Sequence, residues 1–232
     1  MAVYDINGNI IDSGGGGSAS KDTRSILHQG WHDSTVNGNS KSAFVHAYTR
    51  GFTWVEADIN VTSDSYLVMS HDSTASVTYA QWKTDSEHIS FDEFLQIVKK
   101  TNLMVYLDGK SGAQDHLQTI YDKIMGMDLL GNFVFIGTVS NMVNLDSRAK
   151  KAYDIGNLGT DLSGYDNKYP LYCNYVNVTA EEAQNAIDNG FILQLYTIST
   201  TGNFLTCFNN LPQATMWCVD SFSVDALLAA NL

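Results

Sequence analysis

The sequence predicts an α/β fold, a (β/α)8 barrel of the TIM type with a small hairpin excursion after the second strand. From Ser25 onward, short apolar runs alternate with segments of helical periodicity, the pattern of a parallel sheet with right-handed crossovers. Eight such units fit within residues 25–232, which suits a closed barrel better than an open sheet. Acids, histidines and a lysine recur at the ends of the apolar runs, where a barrel of this kind carries its functional groups.

Residues 1–24 read as an N-terminal leader or tether outside the barrel domain of 25–232. Val3-Tyr4-Asp5-Ile6 and Ile10-Ile11 flank Asn7-Gly8, a type I′ turn signal for a small hairpin. Gly14-Gly15-Gly16-Gly17-Ser18 is a flexible link. The leader is too short to hold a core. It is either a disordered arm or a docking strand that completes a sheet in a partner.

The barrel opens with a buried strand at 25–28. Ala43, Phe44 and Ala47 share one helical face over 40–48, and Gly51 stops that helix. Strands follow at 52–59 and 66–70, separated by Thr62-Ser63-Asp64-Ser65, a turn-rich tetrapeptide. An antiparallel hairpin centred there brings His71 toward Glu56. Ser90 and Glu93 form a capping box for a helix over 90–100. The expected elements continue as strand 103–107, helix 114–127, strand 133–136, helix 141–153 and short strands at 155–158 and 175–178. Thr179 and Glu182 cap a helix that Asn189-Gly190 ends. Strand 191–198, helix 202–209, strand 216–219 and helix 223–230 complete the pattern.

Composition excludes several classes. The net charge is −12, with 13 Lys and Arg against 25 Asp and Glu, which argues against non-specific binding to nucleic-acid phosphates. A single phosphate in a local site stays compatible, because a metal ion inverts the local field. Three cysteines without a C-x-x-C pair argue against a disulfide framework or a zinc site. No apolar run is long enough for a membrane span. No signal peptide is visible, which suits a cytoplasmic protein or part of a larger, virion-like assembly.

His28, Glu56, Asp58, Asp108 and Lys110 all fall at strand ends. Glu56 and Asp58 lie two residues apart and so share a strand face. With Asp108 they form an all-oxygen donor set that prefers Mg²⁺ or Ca²⁺ to zinc. Lys110 can reach a bound phosphate oxygen. His28 and His71 suit a general base and a general acid, since imidazole titrates near working pH. Singly, each has a plainer reading: a turn acid, a hydrogen-bonded histidine, a solvated lysine. His32 and His88 carry no such pattern, and His46 and His116 fall in expected helices.

Taken in order, these motifs resemble the glycerophosphodiester phosphodiesterase family over about residues 25–230. His28-Gln29-Gly30 is similar to its opening His-Arg-Gly. Asn39-Ser40 with Ala43-Phe44, Glu56-Ala57-Asp58, Thr62-Ser63-Asp64-Ser65, His71-Asp72, Asp108-Gly109-Lys110, Leu195-Tyr196-Thr197-Ile198 and Val219-Asp220 resemble its later motifs.

The resemblance implies a metal-dependent phosphoric diester hydrolase of lipid metabolism. Its substrate would be a small-molecule glycerophosphodiester or a related glycerol-phosphate compound. His28 and His71 would be the catalytic pair, Glu56, Asp58 and Asp108 the metal ligands, and Lys110 and Gln29 the substrate-binding residues. Three positions depart from the pattern. Gln29 replaces an arginine and cannot make a bidentate phosphate contact. Asn37-Gly38 replaces Pro-Glu, and Asp108 is one methylene shorter than glutamate. The alternative expectation is a weak or inactive barrel that binds without cleaving, tethered by the leader to a phage tail or cell-wall structure.

Overall fold

The structure is a computed structural model that describes residues 3–4, 10–11, 25–211, 214 and 216–220. β1 (Val3–Tyr4) and β2 (Ile10–Ile11) pair antiparallel, with Val3 opposite Ile11, as the sequence on either side of Asn7-Gly8 anticipates. The Asn7-Gly8 turn, the 14–18 link and the helix expected over 223–230 lie outside the described residues.

The barrel begins with β3 (Ser25–Leu27), α1 (Lys41–Thr49), β4 (Trp54–Val61) and β5 (Leu67–Met69). It continues through α2 (Tyr79–Trp82), α3 (Phe91–Thr101), β6 (Met104–Gly109), α4 (Ser111–Gln114), α5 (Leu117–Gly126) and β7 (Phe133–Gly137). It ends with α6 (Val139–Met142), β8 (Lys150–Ile155), β9 (Leu171–Asn174), α7 (Ala180–Asp188), β10 (Leu193–Ile198), α8 (Thr201–Asn210) and β11 (Met216–Val219). The strands β3, β4 and β6 to β11 are all parallel, and β3 pairs with both β11 and β4, so the sheet closes. β5 runs antiparallel on β4, with Ile59 opposite Met69, which is the expected hairpin excursion.

Local signals act where the sequence places them. Ser40 caps α1, accepting a hydrogen bond from the Ala43 amide. Capping boxes open α3 at Ser90–Glu93 and α7 at Thr179–Glu182. Gly51, at φ +82°, follows the end of α1 in the left-handed region.

Four expected elements are corrected. The helix expected over 141–153 is instead the short α6 followed by strand β8. Lys151 on β8 is buried and donates to the carbonyls of Met142 (2.9 Å) and Leu145 (2.8 Å). The short strand expected at 155–158 is therefore replaced by β8, which ends at Ile155. The strand expected at 175–178 lies earlier, as β9, and Tyr175–Asn177 forms a 3-10 turn. The helix expected over 114–127 is split into α4 and α5, with Asp115 and His116 at the break.

Alternation along the strands makes two cores. Ile26, Tyr106, Val134, Ile136, Ala152, Tyr172, Met216 and Cys218 fill the barrel interior. Inside it the Gln194 amide donates to the Tyr106 hydroxyl at 2.5 Å. The outward residues pack against the helices, with the Phe94 ring of α3 tilted against Phe44 at 4.5 Å and edge-on to Phe133 at 6.4 Å. Phe94 is fully buried, so Phe94→Ala is expected to destabilise the fold by about 3–5 kcal/mol. Urea denaturation checks this; a change under 1 kcal/mol contradicts it.

Candidate active site

The Glu56 and Asp58 side chains point to the same side of β4, into the barrel, and both are buried. The parallel register of β4 and β6 sets Asp58 beside Asp108. One carboxylate oxygen from each of Glu56, Asp58 and Asp108 lies within 4.8 Å of the others. The three acids that the sequence singles out therefore converge.

Asp58 is held on every side. Its Oδ2 accepts from Asn39 Nδ2 at 2.7 Å and from Gln29 Nε2 at 2.9 Å. Its own amide donates to Asn39 Oδ1 at 2.9 Å, and its Oδ1 lies 2.7 Å from Lys110 Nζ. Lys110 also pairs with Asp108 at 2.6 Å. Burial and then the charges of Asp58 and Asp108 push the Glu56 carboxyl well above the usual range, against the pull of Lys110 and of the Gln29 amide. Burial raises Asp108 as well, Lys110 opposes it, and Asp58 and Asp154 add to the rise. Burial alone would lower the Lys110 ammonium, but the two aspartates outweigh it and drive it upward.

The loop after β3 supplies the second half of the site. Gln29 and Asn39 both have positive φ, +55° and +57°, and the Asn39 amide donates to the Gln29 carbonyl at 2.9 Å. Such backbone is costly for non-glycine residues and is a mark of constrained functional loops. Gly30 follows at φ +78°, where a Cβ would lie 3.0 Å from the Ala43 carbonyl carbon. Gln29 does not take up an arginine-like position toward solvent: its side chain turns back onto Asp58, and its amide donates to Glu56 Oε2 at 3.1 Å. Gly38 makes this possible, since a Cβ there would fall 2.3 Å from Gln29 Oε1 and 2.8 Å from Gln29 Cβ. The two departures at Gln29 and Gly38 are thus one compensated pair.

His28 Nδ1 lies 2.7 Å from Asp220 Oδ1, and its Nε2 lies 4.0 Å from Glu56 Oε2. Burial would raise the Asp220 carboxyl, but the hydrogen bonds and charges of His28 and His32 outweigh it and bring it to about 2. Asp220 is then a carboxylate at working pH, so His28 Nδ1 carries the donated proton and Nε2 is left facing the acids. His32 Nε2 stands 3.5 Å from the same Asp220 oxygen.

His71 follows β5, where the Ser70 amide donates to the Asp58 carbonyl at 3.0 Å. Continuing the register sets His71 opposite Ala57 rather than Glu56. Its ring is more than half exposed and contacts Asp72 at 3.4 Å, with no ion pair to Glu56 among the described residues. The structure therefore joins His28, Gln29, Glu56, Asp58, Asp108 and Lys110 directly and leaves His71 at the edge.

Sequence reasoning missed Asp220, Asn39 and His32 as site residues. Asp220 carried the same signal as Asp108, an acid closing an apolar run. Asn39 entered only through the Asn39-Ser40 motif, with no role attached, and His32 had no local signal, because their partners lie far away in the chain. A surface cleft of about 650 Å³ between the 160–167 loop and the end of α7 contains none of these residues.

Comparison with known proteins fits this geometry. The model of the glycerophosphoryl diester phosphodiesterase family matches residues 28–155, from His28 through Lys110 to the end of β8. The comparison with curated proteins gives no match. Among solved structures, a glycerophosphodiester phosphodiesterase from Parabacteroides distasonis superposes with a TM-score of 0.75 at 17% identity, covering 92% of this chain and 99% of that one. A phosphodiesterase from Oleispira antarctica in complex with the product sn-glycerol-3-phosphate gives 0.74 at 14% identity, covering 90% and 97%. The glycerophosphodiester phosphodiesterase of Thermotoga maritima gives 0.69 at 16%, covering 89% and 98%. These likenesses show the shared barrel fold, and the family model spans more than half of the sequence. The chain is an enzyme of the glycerophosphoryl diester phosphodiesterase family.

Proposed function

We propose that this protein hydrolyses a glycerophosphodiester with the help of a divalent cation, through His28 and His71. The observation that carries the reading is the convergence of Glu56, Asp58 and Asp108 beside His28 Nε2.

The donor set fits a hard cation. It offers only oxygen, and three crowded carboxylates need more positive charge than Lys110 provides. Glu56, Asp58 and Asp108 would hold Mg²⁺ or Ca²⁺, which when bound would polarise the phosphoryl oxygens and offset developing negative charge. Asn39 and Gln29 keep the Asp58 carboxylate aimed into the site. Asp220 holds His28 with Nε2 free, so this nitrogen takes the proton of the attacking hydroxyl, from water or from the neighbouring glycerol group. His71, on the open side of the mouth, gives a proton to the leaving alcohol. Lys110 adds positive charge at the phosphate. Gln29 supports the carboxylates instead of clamping phosphate, a change from the substrate-binding role expected of it.

Phosphorus NMR of a glycerophosphodiester with the protein and Mg²⁺ or Ca²⁺ is expected to show conversion to a phosphomonoester, and EDTA is expected to stop it. No conversion with either ion sinks the hydrolase reading and leaves the binding-module alternative. Gly38→Ala drives its Cβ into Gln29 and loosens the hydrogen bond to Asp58. Turnover is expected to fall about tenfold, in line with losing one hydrogen bond to a charged group. Restored turnover in the double variant Gly38→Ala with Gln29→Ala is the result that contradicts a supporting role for Gln29.

A further inference from the structure

The mouth of the barrel holds a second cluster of metal-ligating groups, beside the three acids and chemically different from them. Among the described residues, one ligand atom from each of His28, His32 and Asp220 lies within 4.8 Å of the others. Two imidazoles and one carboxylate are a donor set for Zn²⁺, whereas Mg²⁺ and Ca²⁺ prefer the all-oxygen set of Glu56, Asp58 and Asp108. His28 and His32 also stand at the His-x-x-x-His spacing common among zinc ligands. The set contains no cysteine, so counting cysteines does not reveal it.

The geometry is close to what such an ion needs. Four ligand atoms about 2.0–2.1 Å from a tetrahedral Zn²⁺ lie about 3.3 Å from one another. Asp220 Oδ1 lies 2.7 Å from His28 Nδ1 and 3.5 Å from His32 Nε2. The backbone holds these groups in place. The His28 amide donates to the Val219 carbonyl at 3.0 Å, and the Asp220 amide to that of Ile198 at 3.1 Å. Between the histidines, the buried Trp31 donates its amide to the Ala43 carbonyl at 2.9 Å and packs its ring on Phe52. The side chains of His28, His32 and Asp220 are 22%, 21% and 12% exposed, which leaves them open to a water as fourth ligand. His28 also has the outer carboxylate that ligating imidazoles usually carry, since its Nε2 faces Glu56 Oε2 at 4.0 Å.

We propose that His28, His32 and Asp220 form an inhibitory site for Zn²⁺, separate from the hard-cation site, that switches His28 off as a base. The ion takes the place of the proton on His28 Nδ1, and that proton passes to Nε2. The imidazole stays neutral, but the nitrogen that faces the acids then carries hydrogen and can accept no proton. The ligand set stands on its own geometry; its effect on turnover rests on the role of His28 in the hydrolysis proposed above.

Two measurements separate the site from its effect. In the first, Co²⁺, a spectroscopic stand-in for Zn²⁺, is added to the protein in saturating Mg²⁺, which fills the acid site. The wild type is expected to bind one Co²⁺ per chain with the intense visible bands of four-coordinate cobalt, and Zn²⁺ is expected to displace it. His32→Ala, checked for folding by circular dichroism, is expected to bind Co²⁺ at least about tenfold more weakly, the loss that even an outer partner causes. No such bands in the wild type, or an unchanged affinity in His32→Ala, overturns the proposal. In the second, diester hydrolysis at saturating Mg²⁺ is expected to be inhibited by Zn²⁺. His32→Ala is expected to need at least about ten times more zinc, each protein being compared with its own zinc-free rate. Inhibition that added Mg²⁺ reverses and that His32→Ala leaves unchanged places the zinc on the acids and overturns the proposal. Cobalt bands without zinc inhibition of an active enzyme overturn the inhibitory role. If the protein hydrolyses no diester, the cobalt bands alone decide the site: their presence supports it and their absence overturns it.

Discussion

Replacing His28 with alanine is expected to lower kcat by about a hundredfold to ten-thousandfold while KM changes little. The imidazole is pinned between two carboxylates with opposite effects. Asp220 accepts from Nδ1 at 2.7 Å and fixes the ring, while Nε2 faces the buried Glu56 at 4.0 Å. Among the described residues no other imidazole is placed this way: His32 Nε2 stands 3.5 Å from Asp220 Oδ1, and His71 contacts Asp72. The same variant also reports on stability. The Asp220 carboxyl at about 2 stabilises the fold above the ordinary aspartate value of 3.8, and that contribution is lost as pH falls from there toward 2. Without His28 the carboxyl rises back toward its ordinary value, so His28→Ala should begin to unfold in acid at a higher pH than the wild type. Steady-state kinetics and acid titration followed by circular dichroism check both halves; an unchanged kcat removes His28 from the reaction.

Asp58→Ala is expected to abolish detectable turnover and to destabilise the protein by about 3–5 kcal/mol. Asp58 has no exposed surface and receives Asn39, Gln29 and Lys110, so its loss leaves two amide donors without their acceptor and takes from the Lys110 ammonium one of its two carboxylates. Asp108→Ala removes the other partner of Lys110 but from a partly exposed position, so its cost in stability should be smaller. Denaturant unfolding of the two variants checks the order. Equal stabilities would mean that Asp58 is not the centre of the network.

How far the sequence carried the site depends on how local each signal was. Glu56-Ala57-Asp58 and Asp108-Gly109-Lys110 were legible because a charged residue inside or just beyond a hydrophobic strand costs too much to be there by chance packing. Capping boxes at Ser90–Glu93 and Thr179–Glu182 were legible for the same reason: both partners lie within one turn. The fifth strand was not. Lys150 and Lys151 break its apolar run, and the carbonyls that satisfy Lys151 belong to a segment whose position only the fold defines. Reading that stretch as helix also concealed Asp154, which is at the rim only because β8 is a strand. The bond between His28 and Asp220 spans nearly the whole barrel, from the first strand to the last. No local pattern encodes it; barrel closure does. Gln29 was recognised as a departure from the arginine pattern, yet its meaning needed Gly38, whose missing Cβ is what lets the side chain fold back.

Glu56, Asp58 and Asp108 are proposed to hold one divalent cation. Without it, the folded protein keeps a proton on Glu56 that the unfolded chain releases, so metal-free stability should fall as pH rises through and above 4.5. A cation favours the ionised carboxylate, so its binding should expel that proton. Calorimetric titration of the wild type with Mg²⁺ or Ca²⁺ in two buffers of different ionisation enthalpy measures both quantities at once. The expected result is one ion per chain, proton release at pH below the raised Glu56 value, and no binding by Asp58→Ala. Binding that survives unchanged in Asp58→Ala, or no binding by the wild type, would contradict the account.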